Sequence, residues 1–312
     1  MTESPTTTGP FDAHGFTFDI SSPVDDLIAA VDDVLVDMRR VADDPPSIVH
    51  HIEIDPAVGG PDTRIAYRLR VDGESVHESL MEGSVLSHVL MEVNRRATAS
   101  VWANGSIALH ASVVAGPGGA VVVAGASHSG KTTLATALAL AGEGRFAFVA
   151  DEVCALDPVD LTVTPYGKPA ALRTPGSDLL TPRIDRLRRP GSRFERDERF
   201  VPPRDLGRAP SGPCPVRAVV FPRFLWSADT IEGTSPPQPT GPPALDPSSP
   251  ADALARLMRL TLGTQPLAAQ TFRGLERLVR NVGAHDLRYR DALAAADRLE
   301  HLCQDTGRVD AG

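Results

Sequence analysis

Ala120-Val121-Val122-Val123-Ala124-Gly125-Ala126-Ser127-His128-Ser129-Gly130-Lys131-Thr132-Thr133 is the stretch on which the reading of this chain turns. A β-branched run meets a glycine-bounded turn, and a helix-forming segment, Leu134 to Ala141, follows. The junction fits G-x-x-x-x-G-K-[ST], a phosphate-binding loop (P-loop, Walker A). The residue types suit that chemistry. Glycines let consecutive backbone N–H groups converge on a phosphate, and the helix N-terminus adds a positive dipole end. Lys131 is expected to reach the β- and γ-phosphates, and the Thr132 hydroxyl to ligate Mg²⁺. A second apolar run, Phe146 to Ala150, ends in Asp151-Glu152. Carboxylates at the C-terminal end of a strand beside such a loop are where a metal and a base belong. Asp151 is expected to accept a proton as base or to hold the metal, directly or through water, and Glu152 to take whichever role is left. The first assignment is Asp151 as base and Glu152 as metal ligand or second acid.

Working outward, His110 lies on an expected strand, Ile107 to Val114, that precedes the loop. It is a candidate to contact the γ-phosphate or orient a carboxylate. Between Lys131 and Asp151 there is room for one helix and little else. That excludes the serine-glycine-glycine signature of transporter-type ATPases, and no N-K-x-D-like base reader of a GTPase is present. The spacing points to a compact kinase core.

Leu109-His110-Ala111-Ser112-Val113-Val114, the Gly125–Thr133 loop and Ala150-Asp151-Glu152-Val153 together resemble the HPr kinase/phosphorylase-related family. The similarity is greater to its shorter relatives, the HPr-kinase-like kinases of peptide natural-product clusters, including those acting on lasso-peptide precursors. Weaker similarities lie at Pro165 to Arg173 and at Val219-Val220-Phe221-Pro222. HPr kinases proper carry two aspartates at Asp151-Glu152 and tend to carry glycine at Ala111. The resemblance implies an α/β P-loop core sheet with flanking helices. It also implies an ATP- and Mg²⁺-dependent transfer of a phosphoryl group to a serine of a peptide or small protein. Arg173 and the arginines beyond it are candidates to stabilise the transferring phosphoryl or grip an acidic substrate. The rival class is a nucleotide-binding regulatory or assembly ATPase without kinase activity.

A chain of 312 residues has enough material for one large domain or two smaller ones. The net charge of -9 argues against nucleic acid as the main partner. Cys154, Cys214 and Cys303 show no C-x-x-C spacing, which excludes a disulfide scaffold and fits a reducing cytoplasm. No apolar window approaches a membrane span, so a cytoplasmic protein is expected; its oligomeric state stays open.

The expected organisation is a disordered tail (1–14), an N-terminal α+β layer (15–105), a kinase domain (106–303) and a short tail (304–312). In the layer, Ser22 should cap a helix through Met38, and strands should run over 48–54, 63–71 and beyond Asp72-Gly73. His50, His51, His77 and His88 read as surface or packing residues. The arginines between Arg173 and Arg208 are interleaved with acids, as in a solvated mixed-charge loop. The proline-dense 234–250 reads as an extended loop, and helices should follow from Ser249, over 268–282 and over 291–303.

Overall fold

The computed structural model describes residues 4–40, 46, 48–56, 66–210, 212–225, 242–263 and 269–304. In chain order the elements begin with β1 (Thr6–Ala13), β2 (Phe16–Ser22), α1 (Asp25–Val34), β3 (His50–Pro56), β4 (Tyr67–Val71), β5 (Glu74–Ser79) and α2 (Val85–Ala103). Next come β6 (Ile107–Leu109), β7 (Ala111–Gly116), β8 (Gly119–Ala124), α3 (Lys131–Ala141), β9 (Ala147–Ala150), β10 (Cys154–Leu156) and β11 (Thr162–Thr164). Then follow β12 (Ala170–Leu172), α4 (Gly176–Leu180), α5 (Asp185–Arg188), β13 (Arg199–Val201) and β14 (Cys214–Phe224). The last are β15 (Ala244–Pro247), α6 (Pro250–Arg259), α7 (Ala269–Asn281), β16 (Gly283–Tyr289) and α8 (Ala292–Cys303). The protein is mixed α/β, as expected, and divides into two units.

The first unit comprises residues 1–104 with 166–205. Its sheet runs β1-β2-β3-β4-β5, with β2 and β3 parallel and the other neighbours antiparallel. Alternation explains it. Phe18, Ile20, Ile52, Ile54, Leu69 and Val71 are all buried, while Asp19, His51, Glu53 and Arg70 between them are not. Helix α1 buries Leu27, Ile28, Val31 and Val34 at helical spacing. Full burial of each such side chain stabilises by roughly 1.5–3 kcal/mol.

The second unit comprises residues 105–165 with 206–312. Its central sheet runs β6-β10-β11-β14-β8-β7-β9, with β16 pairing both β14 and β15. Strand β8 is parallel to β14, and β14 to β16. Strand β7 is antiparallel to both β8 and β9, so β8 and β9 run the same way. The C-terminal ends of β8, β9, β14 and β16 therefore lie along one edge. Val121, Val122 and Val123 are completely buried, which is why β8 reads as an unbroken apolar run. Helix α3 packs on β7, β8 and β9, and α8 packs on α3.

Several expectations are corrected. Residues 6–13 form β1, where a disordered tail was expected, because Phe11 and Ala13 are fully buried. Helix α1 starts at Asp25 after Val24 and has no side-chain cap. The Ser22 hydroxyl instead donates to Ile54 O (2.8 Å), which keeps Ser22 in the strand. The strand expected over Ile107–Val114 breaks at His110 into β6 and β7, which pair with different neighbours.

The expected kinase domain loses 166–205 to the first unit, and this segment is no plain loop: it holds β12, α4, α5 and β13. Its arginines are anchored there, Arg186 to Asp33 (2.5 Å) and Arg204 to Asp37 (2.7 Å). Part of the proline-dense segment, Ala244–Pro247, is strand, and Ser249 caps α6 through Asp252 N (3.2 Å), as expected. Residues 63–65, 234–241, 268 and 305–312 lie outside the described residues. Strand β16 was not foreseen. Among the described residues, no helix is long and apolar enough to cross a membrane.

Candidate functional site

The site is built where β8 ends. Residues 125–130 turn the chain from β8 into α3, closed by Ser129 N–H donating to Ala126 O (3.2 Å). Two residues take left-handed conformations, His128 at φ 63° and Gly130 at φ 87°. Glycine suits the second: an added Cβ there would lie 2.3 Å from Tyr289 Oη. His128 carries no backbone advantage, and its side chain is exposed with those of Ala126 and Ser127. Ser129 is different, since its Oγ is buried with no hydrogen-bond partner among the described residues. A buried hydroxyl in that state calls for a ligand or water.

Lys131 opens α3 and is 6% exposed. Its ammonium donates to Ala126 O at 2.9 Å, folding back over the turn. Burial pushes its pKa below the ordinary lysine value, while the negative charges of Asp151 and Glu152 pull it back up; burial wins. Thr132 and Thr133 follow, both half-buried.

Asp151 follows β9 directly and is fully buried. Its Oδ1 accepts two hydroxyl hydrogens, from Thr132 at 3.0 Å and from Ser112 at 2.5 Å. The register explains the meeting: Ser112 faces Val123 across β7–β8, and Val113 faces Ala150 across β7–β9. Glu152 is half-buried, with φ 65°. Val153 N–H donates to Asp151 O (2.8 Å), so Glu152 is the centre of a three-residue γ-turn. A non-glycine residue in that conformation is strained, and such strain concentrates at functional sites.

His110 is half-buried one residue beyond the Ala111–Ala124 pair, on a level with Gly125. Its backbone N–H donates to Leu260 O (2.8 Å), which pins the β6–β7 break. Arg173 belongs to the first unit, where Glu198 holds it through Nε at 2.7 Å.

Two contributors were not foreseen. Ser112 stands out only as a hydroxyl in an apolar strand. Tyr289, at the end of β16, donates to Gly130 O at 3.3 Å and stacks edge-on against Phe224 with centroids 5.4 Å apart. Its one signal was the Leu287–Tyr289 alternation.

No protein-family model matches this chain, and no curated protein matches it. The chemistry of the site therefore has to come from its own residues. It offers an N-terminal helix turn, a buried ammonium, an unpartnered hydroxyl and two consecutive acids. Burial pushes the Cys154 thiol up to about 12, so the cysteine beside it is no nucleophile. Among the described residues, no three or more His, Cys, Asp and Glu gather to hold a metal. Thr132 with Asp151 behind it is a hard-oxygen pair. That suits Mg²⁺, which is usually held by one or two carboxylates, waters and substrate phosphates rather than by a full protein cage.

Proposed function

We propose that this chain is an ATP- and Mg²⁺-dependent kinase that transfers a γ-phosphoryl group to a hydroxyl. The acceptor class is the one the HPr-kinase-like resemblance implies, a serine on a peptide or small protein. The reading is carried by one observation: the buried Asp151 carboxylate accepts the hydroxyl of Thr132, the residue after the turn's lysine. In a simple glycine-rich turn with a surface lysine, neither the burial of Lys131 nor this acid–hydroxyl pair has a purpose.

In this reading the N–H groups of the 125–130 turn, the Ser129 hydroxyl and the Lys131 ammonium bind phosphate oxygens. Thr132 would hold Mg²⁺, with Asp151 orienting its oxygen. The metal, when bound, neutralises charge on the β- and γ-phosphates. Burial supports roles for the acids opposite to those expected from sequence. Asp151 is fully buried with two hydroxyls on one oxygen, an arrangement for holding. Glu152 is partly exposed and is the acid a substrate hydroxyl can approach, so it takes the base role. His110, level with Gly125, is the orienting group of this proposal.

The test is ADP formation measured with and without serine-containing peptides, for wild type and Lys131→Ala. Acceptor-stimulated turnover that disappears in the variant supports the kinase. Turnover indifferent to every acceptor supports a nucleotide-driven regulator instead, and unchanged ATP affinity and turnover in the variant overturn the nucleotide site.

A further inference from the structure

The first unit holds a constellation that the nucleotide reading does not use. On β2, Asp19 and Ser21 share the face opposite Phe18 and Ile20, and β3 places His51 directly across from Asp19. The imidazole spans the two. Its Nδ1 is in close hydrogen-bond contact with Asp19 Oδ1, and its Nε2 lies 3.0 Å from Ser21 Oγ. The carboxylate can only accept, so Nδ1 carries the hydrogen in the neutral ring. That leaves Nε2 as an acceptor, and the Ser21 hydroxyl points its proton at it. Acid, imidazole and hydroxyl thus stand in the order that activates a serine, an order recognised by geometry and roles rather than by sequence position.

Two further features suit a working site. The side chains of His51 and Asp19 are 39% and 30% exposed, so the base is open to solvent. Ser21 itself is buried, so its hydroxyl has to be uncovered before an ester can reach it. Beside Asp19, β1 slips register: Thr8 pairs with Ile20 and Phe11 with Phe18, leaving Gly9 and Pro10 across from Asp19. A Cβ on Gly9 would lie 3.0 Å from Asp19 Cα, so the backbone closes on the acid. Bulges of this kind re-aim side chains and are frequent next to active sites. Glu53 Oε1 lies 3.9 Å from Nε2, beyond hydrogen-bond reach.

We propose that Ser21, His51 and Asp19 form a serine acyl-transfer site that takes an ester. Ser21 Oγ attacks the acyl carbon as its proton passes to His51 Nε2. The carbon–oxygen bond to the leaving alcohol breaks, and the alcohol departs with that proton. Water then attacks the acyl-serine and gives a proton to Nε2. The acid leaves, and Ser21 Oγ recovers its proton. The net reaction is ester plus water to acid plus alcohol, with no redox partner.

The experiment treats the full-length folded chain with a fluorophosphonate probe, maps the adduct by mass spectrometry and follows p-nitrophenyl acetate hydrolysis in parallel. The expected result is a single adduct on Ser21. The labelling rate should fall on the order of 10²-fold or more in His51→Gln and also fall in Asp19→Asn, with ester hydrolysis lost in Ser21→Ala. Adduct mapping on wild type stands even where a variant misfolds. No adduct on Ser21 in the folded wild type overturns the proposal, as does labelling at the same rate in a folded His51→Gln.

Discussion

Thr132 Oγ1 and Asp151 Oδ1 lie 3.0 Å apart, joining the first turn of α3 to the end of β9 through a fully buried carboxylate. Ser112 donates to the same oxygen from β7. Removing the acid strands the buried Ser112 hydroxyl and the half-buried one of Thr132, and an unsatisfied buried group costs about 1–3 kcal/mol. Asp151→Ala should therefore lower stability to urea by a few kcal/mol, and Asp151→Asn, which still accepts, by less. Equal losses for the two variants would show that the carboxamide cannot stand in as acceptor.

Nucleotide should couple to the same pair. Saturating Mg·ATP at 100 times its dissociation constant stabilises a native-state binder by about 2.7 kcal/mol. Thermal melts should show that gain in wild type and a much smaller one in Thr132→Ala. An identical shift in the variant would remove Thr132 from the metal site.

Lys131 carries a pH signature. Its folded-state pKa lies below its unfolded value because burial disfavours the charge. The unfolded chain thus holds more protons between the two values, and stability rises with pH across that window. Below the window the full penalty is present. Lys131→Met should hence be more stable than wild type at neutral pH, with the advantage shrinking as pH climbs toward the ordinary lysine value of about 10.4. Urea titrations at several pH values test this, and a constant difference would refute it.

Glu152 sits at φ 65° in its γ-turn. Glycine takes that conformation without strain, which for other residues costs of order 1–3 kcal/mol. Glu152→Gly should gain part of that in the folded state, offset by about 0.4–1 kcal/mol of added unfolded-state entropy, while phosphoryl transfer drops by 10²–10⁴. Glu152→Gln should lose the activity at a small cost in stability, because the buried Lys131 ammonium loses one of the two negative charges that favour it. Wild-type transfer in both variants would leave Glu152 without a catalytic role.

Tyr289 and Gly130 give an asymmetric pair. Gly130→Ala forces a Cβ to within 2.3 Å of Tyr289 Oη at a left-handed position, so it should destabilise and weaken nucleotide binding together. Tyr289→Phe removes one 3.3 Å hydrogen bond and keeps the packing, costing roughly 0.5–1.5 kcal/mol. Restored binding in Gly130→Ala/Tyr289→Ala would confirm that the clash is the cause.

Some of this is legible in the sequence alone. Strand β8, the turn and α3 announce themselves because a buried strand, a glycine-bounded turn and a helical period each leave a local pattern. Asp151 was legible for the same reason, as an acid that ends an apolar run. What escaped depends on pairing. Ser112 matters only because β7 lies between β8 and β9, and Tyr289 only because β16 adds to β14, whose partner is over sixty residues away. His51 read as a surface residue because Asp19 and Ser21 are some thirty positions distant in sequence. The break at His110 was hidden because β6 and β7 are individually strand-like and differ only in their neighbours. Arg186 and Arg204 resemble members of a solvated run because their acids, Asp33 and Asp37, lie far upstream.

The first unit is assembled from two separated pieces of chain, and the ribosome must meet that fact in time. When Asn104 emerges, the five-stranded sheet is complete, but Asp33 and Asp37 still lack Arg186 and Arg204, which arrive about a hundred residues later. At 5–20 residues per second this is a wait of roughly 5–20 s. During it, the nascent sheet stands without β12, β13 and the short helices that belong with it. A chain released early, anywhere between the two pieces, would carry a whole sheet in an unfinished unit, a ready substrate for proteolysis.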